Sequence, residues 1–252
     1  MTDSRPRALA TAGREVTAVY TALRADADPA HRAGWSDRLQ QLVSFEILAG
    51  VGDLQDCTVL DAGCGAGDLY AFLRARGFRG RYTGIDLVPE AVAEAQARFP
   101  EATWIAGDLL TAPLEPHDYV LAAGLMDAET SQGGALVRAL LERAFGLCRH
   151  AVAWNIFSTV TGPRHHVEPV DAALALCEAL TPWFTLRRDY SPGHYTVYLY
   201  RREHFLTPAV LRLIGRVYLD AEFRARVKRA PEIVAREYGV TLRQLELLHA
   251  AL

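Results

Sequence analysis

Several features that mark common protein classes are missing from this sequence of 252 residues. No apolar run approaches the roughly 20 residues that a membrane-spanning helix needs. The formal net charge is −3, so the basic excess that is typical of nucleic-acid-binding surfaces is also missing. These absences predict a protein that neither crosses a membrane nor binds nucleic acid.

Cysteine pairs and metal-ligand spacings are missing as well. The four cysteines are scattered with no Cys-x-x-Cys pair, which fits free thiols in a reducing compartment rather than disulfides or zinc. The side chains of the adjacent His165 and His166 should diverge, and no third ligand has a suitable spacing, so no metal site is predicted. No hydrophobic segment follows the polar residues 1–7, which predicts a cytoplasmic protein without a signal peptide.

The most informative stretch is residues 58–77, where a short apolar run passes into a glycine-rich turn and then into a helical pattern. Asp61 lies near the end of the apolar run, glycines occupy positions 63, 65 and 67, and Asp68 is a suitable N-cap residue. Glycines let backbone N–H groups approach a ligand, and a helix N-terminus adds a partial positive charge. A nicotinamide-binding turn would need glycine where Asp68 stands, which disfavours a nucleotide-dependent oxidoreductase.

Two further acids follow at the ends of the next predicted strands. The strand pattern of residues 81–86 ends in Asp86, where an acid can accept hydrogen bonds from both ribose hydroxyls. A third strand at 102–106 leads into Gly107-Asp108-Leu109, where Asp108 would accept the exocyclic amine of adenine and Leu109 would pack on the ring. Ligands of open α/β sheets bind at the carboxyl ends of the strands, so these residues predict one binding site.

The chain continues to alternate strands and helices up to about residue 201, as is typical of an α/β sheet. Further strands are predicted at 118–124, 151–157, 183–190 and 195–201, the last two joined by a tight turn. Residues 1–33 are predicted to contain a helix, which is either a lid over the ligand or a surface helix. A second helix opens near Trp35.

The motifs between residues 35 and 202 resemble a mostly uncharacterised bacterial family of class I S-adenosylmethionine-dependent methyltransferases. The matching positions are Trp35, Gln41, Phe45, 60–69, 82–86, Phe99-Pro100, Gly107-Asp108, 118–124, 153–155, 180–182, 186–190 and 196–200. The sequence departs from the family pattern at Ser44, where Arg is usual, and at Ala123, where Ser is usual.

This resemblance implies a Rossmann-like sheet of seven strands in the order 3-2-1-4-5-7-6, with an antiparallel last strand, in a methyltransferase domain at residues 34–205. It implies S-adenosyl-L-methionine (SAM) as cofactor and S-adenosyl-L-homocysteine (SAH) as product. The cofactor-binding residues would be Asp61, Gly63, Cys64, Gly65, Gly67, Asp86, Leu87, Gly107, Asp108, Leu109, Ala123 and Gly124.

Methyl transfer from a sulfonium mainly needs alignment of the nucleophile and exclusion of water, so no fixed general base is required. Candidate bases are His194, Tyr190 and Asp127, with His165, His166 and Tyr195 behind them. His194 is preferred because imidazole titrates near neutral pH, although it could also be a solvent-facing turn residue. A substrate pocket is predicted from Trp35, Trp154, Asn155 and Tyr195, with a place in the core as the alternative.

The expected activity is methylation of N or O on a small metabolite or on a ribosomally made peptide, within a biosynthetic pathway. The alternative is a catalytically silent cofactor-binding subunit that partners another enzyme.

Residues 206–252 form a separate helical pattern with helix starts at Thr207-Pro208, Asp220, Pro231 and Thr241. Residues 219–240 resemble leader segments of nitrile-hydratase-related peptide precursors, and also small helical subunits of aromatic-ring dioxygenases. We expect this tail to serve acceptor recognition or assembly, through a homodimer or a partner protein. The alternative is a helical cap that packs on the sheet or makes a dimer.

Overall fold

The computed structural model describes residues 5–125, 129–157, 166–201 and 208–238, together with Val240, Leu242, Leu245 and Leu248. The chain divides into two compact units, residues 1–199 and residues 200–252. None of the helices within these described ranges is long and apolar enough to cross a membrane.

The first unit is built on a sheet of seven strands in the order β3-β2-β1-β4-β5-β7-β6. The strands are β1 Thr58–Ala62, β2 Arg81–Asp86, β3 Thr103–Ala106, β4 His117–Ala122, β5 Cys148–Phe157, β6 Phe184–Arg187 and β7 His194–Tyr200. The pairs β1–β2, β1–β4, β2–β3 and β4–β5 are parallel, whereas β6 and β7 pair antiparallel. The strand order and the antiparallel last strand that the family resemblance implied are confirmed.

Helices connect and flank these strands. They are α1 Arg5–Leu23, α2 Pro29–Arg32, α3 Arg38–Ala49, α4 Asp68–Ala75, α5 Pro89–Arg98, α6 Gly133–Leu147 and α7 Val170–Leu180. Local signals explain several of their starts: the Asp37 carboxylate accepts the Gln40 N–H at 2.8 Å and caps α3, and Pro89 is the first residue of α5. Asp68, predicted as an N-cap, is instead the first helical residue, because Gly67 takes the cap position with a left-handed backbone.

The register brings the carboxyl ends of the central strands to one edge of the sheet. Ala62 pairs with Ile85 in β1–β2, and Asp86 pairs with Ala106 in β2–β3. Strand β4 ends at Ala122, two residues earlier than predicted, and Gly124 follows with a φ of +73° in the loop beyond it. The predicted acids and the glycine turn therefore lie beside one another.

The core of the first unit lies between the sheet and its helices. Fully buried apolar side chains of β1, β4 and β5, among them Leu60, Val120 and Val152, cluster with Leu141 of α6 and Cys177 of α7. Burial on both faces explains why these strands are continuous apolar runs rather than alternating patterns.

The second unit contains α8 Pro208–Leu219, α9 Ala221–Arg229 and α10 Pro231–Tyr238. Asp220 caps α9, since its carboxylate accepts the Phe223 N–H at 2.9 Å. This unit has its own apolar core, formed by Leu213, Val217, Phe223, Val227, Val234, Ala235 and Leu245. The helix predicted to start at Thr241 lies mostly outside the described residues.

Candidate functional site

A cleft with a volume of about 240 Å³ lies at the carboxyl edge of the sheet in the first unit. Every residue predicted to bind the cofactor lines this cleft except Gly67. The lining set is Asp61, Gly63, Cys64, Gly65, Asp86, Leu87, Gly107, Asp108, Leu109, Ala123 and Gly124. Burial raises the pKa of the Cys64 thiol well above its usual value, so this side chain stays uncharged.

The glycines of the turn do different things. Gly65 has a φ of +51°, and a Cβ built on it would meet no atom within 4 Å, so the turn is open at this position. Gly67 has a φ of +82°, and a Cβ there would lie 2.8 Å from the Trp104 ring. Gly67 therefore allows close packing of the turn against an aromatic side chain, which is why it does not line the cleft.

Asp86 is fixed by backbone donors on both sides. Its Oδ1 accepts the Val88 N–H and its Oδ2 accepts the Gly65 N–H, each at 2.9 Å. Burial raises the pKa of Asp86, while these hydrogen bonds and the positive charge of Arg24 oppose that rise. A carboxylate offers about four acceptor positions, so two remain for hydroxyl groups of a ligand.

Asp108 and Leu109, which were predicted to contact adenine, both line the cleft. Asp108 accepts the Leu110 N–H at 2.9 Å through Oδ1, which orients its carboxylate and leaves Oδ2 for a ligand. Leu109 is buried beside it, and Leu110 also lines the cleft.

Asp61 lies at the end of β1 and is only 1% exposed. The Tyr82 hydroxyl donates a short hydrogen bond to its Oδ2, whereas Oδ1 has no hydrogen-bond partner among the described residues. Burial raises the pKa of Asp61 to about 7; the Tyr82 hydrogen bond opposes the rise, and the nearby Asp86 and Asp68 add to it.

The N-terminal helices line the same cleft. The sequence analysis had left open whether the helix in residues 1–33 covers the ligand or lies on the surface. Residues of α1, of α2 and of the segment between them belong to the cleft lining. They include Leu9, Gly13, Val16, Tyr20, Arg24, Pro29 and Arg32. Tyr20 donates to the Gly124 carbonyl at 3.2 Å, and Arg24 forms an ion pair with Glu94 of α5. Arg32 lies 3.9 Å from the same Glu94.

Sequence reasoning missed several of these polar residues. Arg98 of α5 donates to the Ala66 carbonyl at 2.7 Å and to the Asp68 carboxylate at 3.0 Å, and so holds the glycine turn to the neighbouring helix. The apolar spacing of α1 indicated a helix, but no sequence signal indicated that Arg24 meets Glu94. These partners lie far apart in the chain, so only packing brings them together.

Only Trp35 of the predicted substrate-pocket residues lines the cleft. Trp154 and Tyr195 are fully buried core neighbours with ring centroids 6.0 Å apart, so their prediction as pocket residues is corrected. Asn155 is also buried, and its Oδ1 accepts the Gly124 N–H at 2.9 Å. Asn155 thus positions a loop of the cleft without lining it.

None of the candidate bases within the described ranges lines the cleft. His194 is 2% exposed and begins β7, with its ring centroid 4.0 Å from that of Phe157; the alternative of a solvent-facing turn residue is wrong. The turn ends one residue earlier, at Gly193 with its φ of +77°, and this puts His194 in the strand. Tyr190 shares a hydrogen bond with Thr196 at 2.7 Å and does not line the cleft.

The other candidate bases include two that lie outside the described residues, Asp127 and His165. His166 lies 2.9 Å from the Glu168 carboxylate. Within the described ranges, no group of three or more His, Cys, Asp or Glu side chains could hold a metal ion.

Residues 59–144 match a protein family described as a methyltransferase domain. The matched segment runs from β1 into α6 and includes the glycine turn and all of the acids at the strand ends.

Two curated relatives match parts of the chain. A Mycobacterium tuberculosis protein assigned as a methyltransferase, without a stated substrate, is 32% identical over 107 residues, which cover 40% of this chain and 64% of that protein. Trans-aconitate 2-methyltransferase of an Azoarcus species is 34% identical over 102 residues, which cover 36% of this chain and 40% of that enzyme. The chain therefore spans less than two thirds of either relative.

Solved methyltransferase structures share the fold. The N-methyltransferase NodS of Bradyrhizobium japonicum, in complex with SAH, aligns with a TM-score of 0.56 and 19% identity over 74% of this chain and 98% of that one. The 1,6-didemethyltoxoflavin N1-methyltransferase of Burkholderia thailandensis aligns with a TM-score of 0.54 and 21% identity over 79% and 90% of the two chains.

Proposed function

We propose that this chain is a SAM-dependent methyltransferase that acts on N or O of a small metabolite or of a ribosomally made peptide in a biosynthetic pathway. The observation that carries the proposal is the meeting of the glycine turn, Asp86 and Asp108 around one cleft, inside the segment that matches a methyltransferase domain. The SAH-bound complex of a protein with the same fold supports the choice of cofactor.

The residues of the cleft fit the parts of this cofactor. The open position at Gly65 leaves room beside the turn, and the unpartnered Oδ1 of Asp61 suits the ammonium group of the amino-acid part. The spare acceptor positions of Asp86 suit the ribose hydroxyls, and Asp108 with Leu109 suits the adenine. When bound, the cofactor would supply a methyl group that is already activated.

The chain's own contribution would be to align the acceptor and to exclude water. Residues of helices α1 and α2 line the cleft together with those at the strand ends, and Trp35 adds an aromatic side chain to the lining. Methyl transfer of this kind needs no fixed base, which agrees with the finding that neither His194 nor Tyr190 lines the cleft.

A catalytically silent cofactor-binding subunit is the alternative function. It would be favoured by a pocket blocked at Gly124, but Gly124 lines the cleft, so this observation does not support it. We also propose that residues 206–252 serve acceptor recognition or assembly, because the described residues of this segment have an apolar core of their own.

Calorimetry with SAH and with NADH tests the cofactor assignment. We expect SAH to bind and NADH not to bind.

The substitution Asp86→Asn should weaken SAH binding by about 1.5–3 kcal/mol, roughly 10- to 150-fold, because hydrogen bonds to a charged acceptor are lost. Glu90→Gln, which changes an exposed acid in the first turn of α5, is the control. Unchanged SAH affinity in Asp86→Asn would remove the ribose assignment, and binding of NADH alone would remove the proposed function.

A further inference from the structure

Asp61 combines deep burial with an unused hydrogen-bond acceptor. Its side chain lines the cleft, yet Oδ1 has no partner among the described residues. Its other oxygen accepts the Tyr82 hydroxyl, which is itself buried. An ionised oxygen that is buried without a partner is strongly disfavoured, so an incoming donor or a bound proton would relieve it.

The groups that face Asp61 are acidic or neutral on every neighbouring element. Asp86 lies at the end of β2, Asp68 lies on α4, and the Cys64 thiol lies in the glycine turn. The guanidinium groups that line the cleft are directed to other acids, since Arg98 pairs with Asp68, and Arg24 and Arg32 both lie against Glu94. No cation of the described protein therefore balances a negative charge on Asp61, and burial raises its pKa to about 7.

We propose that binding of a ligand with an ammonium group drives a proton from the Asp61 carboxyl into solvent, and that Tyr82 is the positioning residue that favours the resulting carboxylate. The O–H bond of Asp61 breaks, the proton passes to the buffer, and the carboxylate then pairs with the ammonium group. This inference rests on the proposed function, because SAM and SAH both carry such a group in their amino-acid part.

The direction of the pH dependence follows from this exchange. Below neutral pH the free protein holds a proton on Asp61, and the ligand must displace it, so affinity falls. Above neutral pH the carboxylate is already formed, so affinity levels off. With a pKa of about 7, affinity for SAH should rise about tenfold between pH 6 and pH 8.

Proton release can be measured directly by calorimetry of SAH binding to the full chain at pH 7, in buffers of different ionisation enthalpy. We expect about half a proton to leave on binding, because about half of the free molecules hold the Asp61 proton at this pH. Adenosine lacks the ammonium group and should bind without this release.

Variants separate Asp61 from its neighbours. Asp61→Asn should abolish the release, whereas Asp86→Asn should reduce it without abolishing it, because the charge of Asp86 contributes to the raised pKa of Asp61. Tyr82→Phe removes the donor that favours the carboxylate, so the rise of affinity should move to higher pH. Tyr70→Phe is the matched control, because its ring lies 4.8 Å from that of Tyr82 but its hydroxyl donates to Glu101. This control should leave the pH profile unchanged.

Three results would overturn the inference. Tight SAH binding with no proton release and a flat affinity from pH 6 to pH 8 would remove it and leave the proposed function intact. Release that persists in Asp61→Asn would assign the proton to another group. Absence of SAH binding would remove the proposed function and this inference together. If the variants fail to fold, the comparison of SAH with adenosine on the unchanged chain still decides.

Discussion

At the scale of single residues, two glycines of one turn have separable roles. Gly65 and Gly67 both have a left-handed backbone, but their surroundings differ. The space beside Gly65 is open, whereas Gly67 packs against the Trp104 and Phe99 rings. The G-x-G-x-G spacing does not reveal this difference. The surroundings of each glycine depend on the side of the turn to which its Cβ would point.

We therefore expect Gly67→Ala to affect the fold and Gly65→Ala to affect binding. The first should lower the free energy of unfolding by about 2–4 kcal/mol, since backbone strain adds to overlap with Trp104. The second should cost about 1–2 kcal/mol from strain alone and should weaken SAH binding at least about tenfold, because the new methyl group enters the ligand space. Urea unfolding and calorimetry measure the two effects. A Gly65→Ala protein with normal SAH affinity would contradict the separation.

At the scale of elements, α1 belongs to the binding site. Its residues line the cleft from Leu9 to Tyr20, and Arg24, which directly follows its last residue, forms an ion pair with Glu94. The Tyr20 hydroxyl adds a second tie, to the Gly124 carbonyl at 3.2 Å. Because α1 contributes to the cleft lining, the escape of a bound ligand should depend on how firmly this helix is held.

Loosening α1 should speed the dissociation of SAH. The substitution Arg24→Gln removes an ion pair that is partly exposed and worth about 0.2–1 kcal/mol, so we expect a dissociation rate up to about fivefold higher. Arg14→Gln is the control, because Arg14 is exposed on α1 and donates to Thr11 within that helix. Stopped-flow displacement of SAH gives the rates. Equal rates in the two variants would show that the ion pair does not hold the ligand.

At the scale of the whole molecule, the chain consists of two compact units with separate cores. The cleft residues that the structure describes lie between Leu9 and Leu140, within the first unit. Cofactor binding should therefore depend on the first unit, whatever the second unit recognises.

A chain shortened to residues 1–207 should bind SAH within about twofold of the full-length affinity. Its molecular mass in solution, measured by light scattering, should show whether the tail serves assembly. If the full chain is a dimer and the shortened chain is a monomer, the assembly role is supported. A loss of SAH affinity of more than about tenfold would contradict the independence of the cleft from the tail.

The sequence by itself determined the order of elements and the residues at the strand ends. The strand 81–86 was predicted with the observed bounds, and the G-x-G-x-G turn with Asp86 and Asp108 was correctly brought to one edge. These features depend on local periodicity and on short-range turn chemistry, which are written in neighbouring residues.

Only the tertiary structure decided which distant side chains share a site. Trp154 and Tyr195 proved to be core residues, and the ion pair of Arg24 with Glu94 joins residues 70 positions apart. Periodicity identifies a buried face of an element, but it does not indicate what that face is buried against. Whether an aromatic residue lines a cleft or fills a core therefore depends on the packing of elements that are far apart in the chain.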